Sequence, residues 1–225
     1  MKRREFSAQL LGTGVGVGWV SAGVAGVAGM AAAPAAQAQG GPVEGKDYVR
    51  LSQPQAVAPG KIEVVDFFWY GCPHCFSFEP ALDAWAKKLP ADVNFRRVPV
   101  SFRDEPFGTH ARIFFALEGM GQLDAMHRKV FYAIHNERVS LVKPAEISAF
   151  MTKNGLDGAK FLELMNSFSV QTKARQAKQI TEVYKIDGVP AIGIQGRYYT
   201  SGSVAGSNDR ALVVADFLIQ RERKG

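Results

Sequence analysis

The 225-residue sequence holds two cysteines, and they stand three apart in Cys72-Pro73-His74-Cys75. That spacing puts the second sulfur one turn along a helix, within reach of a short disulfide. Thiol–disulfide exchange is therefore the first chemistry to consider. A purely structural disulfide here closes so small a loop that it stabilises little. A zinc site needs two further ligands. His110, His127 and His135 lie far along the chain, with neither a second cysteine pair nor a closely spaced histidine pair, so no metal is expected.

The elements around the pair decide how reactive it is. Ile62 to Tyr70 is a near-continuous β-branched and aromatic run, as expected of a central strand covered on both faces. Gly71 breaks it. After Pro73, Phe78, Leu82, Trp85 and Leu89 recur at helical spacing until Pro90 stops them. Cys72 thus falls at a helix N-terminus, where unpaired N–H groups and the positive end of the helix dipole favour a thiolate. Pro73 suits the first helical position, and His74 adds to the same stabilisation. Cys72 is expected to be the exposed, attacking thiol, with a pKa of about 4–5, and Cys75 the buried, resolving one.

Val93–Phe102 reads as a second core strand, which completes a parallel β-α-β unit. From Glu105 to Tyr184 the apolar period becomes helical, in the segments Ile113–Leu117, Leu123–Ile134, Ile147–Met151, Phe161–Met165 and Val170–Tyr184. Strands return at Ala191–Gln195 and Arg197–Thr200, and an amphipathic helix, Asp209–Arg223, closes the chain. The expected class is α/β, one layer interrupted by a helical insertion. The expected division is 1–38 signal peptide, 39–104 and 178–225 the two parts of the α/β domain, and 105–177 the inserted helical domain.

The N-terminus reads as an export signal. Lys2, Arg3, Arg4 and Glu5 precede a stretch without charge up to Glu44, and Ala36-Gln37-Ala38 supplies a small-x-small cleavage site. The rival reading is an uncleaved anchor, but seven glycines between Gly12 and Gly29 are poor material for a spanning helix. Arg3-Arg4 leaves open whether the route is twin-arginine or general secretion. Cleavage near Ala38 leaves 187 residues of net charge +4. The densest basic stretch, Lys173 to Lys185, has no interleaved aromatics. It reads as a solvated helix face, and nucleic-acid binding is not expected.

Asp66-Phe67-Phe68-Trp69-Tyr70-Gly71-Cys72-Pro73-His74-Cys75 with Phe78-Glu79, and Gly188-Val189-Pro190 ahead of a strand, resemble the DsbA-type periplasmic thiol oxidases. The resemblance covers nearly the whole chain after the signal. It implies a thioredoxin fold with an inserted all-helical domain, and a redox-active Cys72–Cys75 disulfide with no other cofactor. It also implies a cis-proline loop at Val189 and Pro190 that binds substrate. The implied partners are newly exported cysteine-containing proteins and a quinone-linked membrane reoxidase of DsbB type, with the enzyme a periplasmic monomer. Asp66 is a departure from the resemblance: it stands where the best-known such proteins carry Glu and thioredoxins carry Asp, and its side chain is the shorter. It is either a proton relay to Cys75 or a strand-end carboxylate satisfied by its neighbours. Glu79 is either a solvated helix residue or part of a charge network near the site. Arg97 is either a partner for an acidic residue beside the active site or, the simpler reading, an exposed strand arginine, and the three histidines of the helical block read as surface or packing residues. Trp69 and Tyr70 read either as docking surface or as core. A disulfide isomerase or reductase is the rival within the same chemistry; a metal-binding or chaperone-like module is the rival outside it.

Overall fold

Strand β2, Ile62–Phe68, is the centre of the protein, and its two faces explain the rest. Side chains alternate across a strand. Ile62 and Val64 therefore join Phe78, Leu82, Ile192, Val214 and Leu218 in one apolar cluster, while Val65 and Phe67 join the helical block in another. Val65, Phe67 and Phe68 are almost wholly buried, each contributing about 1.5–3 kcal/mol of transfer free energy. Asp66 shares the face of Val64 and so points beneath the helix that carries the cysteines.

A computed structural model describes residues 41–224; the expected signal segment lies outside them. The sheet has the order β1-β5-β4-β2-β3, with β1 Val49–Arg50, β3 Val93–Pro99, β4 Ala191–Ile194 and β5 Tyr198–Ser201. β2 pairs in parallel with β3, which sets Asp66 beside Arg97, and antiparallel with β4, which sets Asp66 beside Ile192. Helix α1, Pro73–Ala86, follows β2. Five helices then interrupt the α/β layer: α2 Phe107–Gly119, α3 Leu123–His135, α4 Pro144–Lys153, α5 Gly158–Met165 and α6 Phe168–Val183. Residues 177 and 178 both lie inside α6. After β5 come a short helix α7, Gly202–Ala205, and α8, Asn208–Arg223. The α/β class and the helical insertion are as the sequence suggests. Among the described residues no helix is long and apolar enough to cross a membrane.

The ends of the elements differ from expectation for local reasons. β2 stops at Phe68 and β3 at Pro99, and the last ladder bond runs from the Val100 N–H to the Phe68 carbonyl at 2.8 Å. Trp69 and Tyr70 leave the ladder, because the chain must turn into α1. That helix ends at Ala86, before Pro90, and Lys87–Leu89 form a closing turn. α7 has too few residues to show any period.

Candidate active site

The turn from β2 into α1 places Cys72 as the N-cap of the helix. Its sulfur accepts the Cys75 backbone N–H at 3.4 Å, one of the donors every helix start leaves unpaired. Pro73 takes the first helical position, as expected. Gly71 just before leaves room for the Trp69 ring, which a Cβ there would have to displace. Both sulfurs are free thiols. Cys72 is the more accessible of the two, but it is only 7% exposed against 2% for Cys75. It is therefore not the openly exposed thiol the sequence suggests. The Val189–Pro190 loop covers it, with the Cys72 S–H donating to the Val189 carbonyl at 3.4 Å. The Val189–Pro190 bond is cis. Val189, Pro190, His74, Gly202, Ser203 and Asn208 line a cleft of about 340 Å³ beside the sulfur.

The two thiols are driven apart electrostatically. A hydrogen bond from Cys75 lowers the Cys72 pKa from 9.0 to about 6, against the opposing effect of burial; the N–H groups of Cys75 and His74 and the His74 charge assist. The value is higher than the 4–5 expected from helix position, with burial of the sulfur opposing the thiolate. Burial and the neighbouring Cys72 push Cys75 the other way, far above the ordinary thiol range. His74 itself is exposed.

Beneath the pair lies a buried ionic cluster. Asp66 is wholly buried, and neither carboxyl oxygen has a hydrogen-bond partner among the described residues. Burial first, then the charges of Glu79 and Asp83, raise its pKa to about 8 against the pull of Arg97. Of the two readings of Asp66, a strand-end acid satisfied by neighbours does not fit. Glu79 is 3% exposed, so the solvated reading fails too. Burial works to raise its pKa, but His127 and Arg97 prevail and hold it below the usual carboxylate range. Of the two readings of Arg97, the simpler one is corrected: it is not an exposed strand residue but the partner of acids beside the site. Its Nη2 donates to Glu79 Oε2 at 3.1 Å and to Asp83, and its Nε lies 3.7 Å from Asp66 Oδ2.

The helical block contributes residues that sequence reasoning passed over. His127 is buried, with Nδ1 2.8 Å from the Tyr70 hydroxyl and Nε2 3.2 Å from Glu79 Oε1. His135 Nε2 donates to the Tyr70 carbonyl at 2.8 Å, and its ring stacks on Phe76. His110 lies over Trp69 and bonds the Ser140 carbonyl. Tyr70 is core, and Trp69 stacks on Phe107 with ring centres 4.2 Å apart. A signal for His127 exists: it shares the apolar face of Leu123, Met126, Val130 and Phe131, where a polar residue needs a buried partner. Among the described residues no cluster of three or more potential metal ligands occurs.

Comparison with known proteins agrees with this geometry. Residues 107–215 match the family described as the DSBA-like thioredoxin domain. The chain is 44% identical over 180 residues to the thiol:disulfide interchange protein DsbA of Pseudomonas aeruginosa, covering 80% of this chain and 85% of that one. It is likewise 44% identical to the Azotobacter vinelandii DsbA, covering 84% of that relative. Among solved structures, that of the Pseudomonas aeruginosa DsbA superposes with a TM-score of 0.78 at 43% identity, over 81% of this chain and 95% of that one. The Xylella fastidiosa oxidoreductase DsbA gives 0.76 at 33% identity, over 82% and 99%.

Proposed function

The chain belongs to the DsbA family of thiol:disulfide interchange proteins, and from that premise we propose how its residues divide the work of a thiol:disulfide oxidoreductase. The Cys72–Cys75 disulfide is donated to reduced cysteines of exported proteins. A substrate thiolate attacks Cys72 Sγ; as that S–S bond forms, the Cys72–Cys75 bond breaks and its electron pair passes to the Cys75 sulfur. Cys75 cannot persist as a thiolate in its apolar surroundings, and it takes the proton of the Asp66 carboxyl beneath it. A second substrate thiolate then attacks the substrate sulfur of the mixed disulfide, and Cys72 leaves as a stabilised thiolate. The substrate dithiol loses two electrons and two protons: both electrons pass to the enzyme disulfide, one proton replaces the one Asp66 gave to Cys75, and the other goes to solvent while Cys72 stays a thiolate. Val189 and Pro190 line the cleft that receives the peptide, and Pro73 and His74 tune the thiolate. No cofactor besides the disulfide takes part.

The observation that carries this reading is the asymmetry of the two sulfurs. One is held near a pKa of about 6 at a helix start, and the other is forced upward by burial. A stabilised Cys72 thiolate favours the reduced form and so favours giving the disulfide away. The enzyme acts as a monomer in the periplasm, after removal of the signal near Ala38, and a quinone-linked membrane protein of DsbB type restores its disulfide. The isomerase, reductase and metal-binding readings are not favoured. The decisive experiment is the redox equilibrium of the Cys72–Cys75 pair with glutathione, alongside oxidation of a reduced, unfolded cysteine-containing protein. A potential near that of thioredoxin, about −270 mV, refutes the oxidase direction.

A further inference from the structure

The inserted domain sends one polar side chain into the ionic cluster below the cysteines. Glu79 Oε2 is occupied by Arg97, whereas among the described residues Oε1 meets only His127 Nε2, at 3.2 Å. A carboxylate can only accept, so Nε2 carries the hydrogen. The bare Nδ1 then accepts from the Tyr70 hydroxyl at 2.8 Å. Two fixed neighbours thus select one neutral tautomer. Phe68, Phe114 and Phe131 enclose the ring with centroids 5.1, 6.0 and 5.2 Å away. That desolvation lowers the imidazole pKa and keeps the ring uncharged, although Glu79 opposes it.

We infer that His127 is a positioning residue for proton transfer at Cys75: its Nε2–H satisfies Glu79 without neutralising it, so that Glu79 keeps a negative charge facing Asp66. The inference rests on Asp66 being the proton donor to Cys75. The groups around Asp66 are Cys75, Glu79 and Asp83 from α1, Arg97 from β3 and apolar Ile192 from β4. Of these, Glu79 is the acid whose charge weighs most in holding a proton on Asp66. An apolar residue at 127 leaves Oε1 bare, Glu79 takes up a proton, and Asp66 ionises at lower pH. The enzyme then loses its proton donor within the working range.

The test follows two signals across pH. One is the infrared carboxyl band that disappears in Asp66→Asn; the other is the single-turnover rate at which a dithiol peptide reduces the Cys72–Cys75 disulfide. His127→Phe, which keeps the packing but neither hydrogen bond, should lower the Asp66 midpoint by about one pH unit and the rate above it about tenfold. His127→Gln, able to donate to Glu79 and accept from Tyr70, should stay near wild type. In a Glu79→Gln background the phenylalanine should have no further effect. An unmoved midpoint in His127→Phe, an equal shift in His127→Gln, or a persisting effect without Glu79 each overturns the inference. If Asp66→Asn leaves the rate profile intact, the donor role of Asp66 fails instead, and the infrared midpoint still reports on His127. Should the phenylalanine variant not fold, nitrogen NMR of the wild type decides. His127 must be neutral with its proton on Nε2 from pH 5 to 8; an imidazolium or an Nδ1–H overturns the inference.

Discussion

The Sγ of Cys72 lies 3.4 Å from the carbonyl oxygen of Val189, so the cap of α1 and a loop 117 residues later meet at one reactive atom. Val189 also lines the cleft, and Cys75 is the more deeply buried of the two sulfurs.

This places the two cysteines in different roles. Cys72→Ser should reduce oxidation of a dithiol peptide to background. Cys75→Ser should instead accumulate mixed disulfides with substrate, visible on non-reducing gels. Trapping by Cys72→Ser would reverse the assignment.

The stability of the reduced protein should depend on pH with a definite sign. The folded pKa of Cys72 is about 6 against 9.0 for the free group, a depressed value. Its contribution is complete above the unfolded pKa and is lost as pH falls through 6. At pH 7 it is worth about 1 kcal/mol, allowing for screening at the cleft side, or about 20 mV of driving force. Denaturant melts of reduced and oxidised protein should therefore converge by about 1 kcal/mol between pH 7 and pH 5. A constant difference refutes the depressed thiolate.

His74 is one of several supports of the thiolate, and the hydrogen bond from Cys75 outranks it. His74→Ala should raise the Cys72 midpoint, followed by thiolate absorbance, by less than about one pH unit. A larger rise would make His74 the main source of acidity.

Arg97 is the cation among Asp66, Glu79 and Asp83. Arg97→Met leaves buried acids facing one another and should cost about 3–5 kcal/mol at pH 7 in a urea melt. The loss should shrink near pH 5, where protonation relieves the repulsion. Equal loss at both pH values would assign the cost to packing.

Gly71→Ala should displace Trp69 from Phe107, because the new methyl meets the indole. The near-ultraviolet circular dichroism should change, with a loss of about 1–3 kcal/mol. An unaltered spectrum would show that the turn absorbs the methyl elsewhere.

Most of the frame was legible in the sequence because its signals are local. The apolar run of β2, the break at Gly71 and the helical spacing of Phe78 and Leu82 put Cys72 at a helix start before any contact is known. The ionic cluster was legible only as one alternative for Glu79 and Arg97, because its members come from β2, α1, β3 and α3 and only the fold joins them. Nothing local decides between an exposed and a paired Arg97 until β3 sets it beside Asp66, or between a solvated and a networked Glu79 until His127 of α3 meets it. The acidity of Cys72 is legible only in its direction for a related reason. The helix start is local, but the burial that opposes it is not, and one contact on the sulfur, the Val189 carbonyl, lies 117 residues away.

That division between near and far has a consequence for assembly. Cys72 and the N–H that stabilises it are three residues apart, so the acidic thiol can form as soon as α1 winds. Its cover arrives only when Val189 does, after the whole insertion has been threaded past and β4 has docked on β2. Closing so long a loop is slow compared with closing a single helical turn. The nascent enzyme therefore carries an uncovered nucleophile while its own chain is still completing. With no third cysteine anywhere in the sequence, that nucleophile has no intramolecular wrong partner to capture.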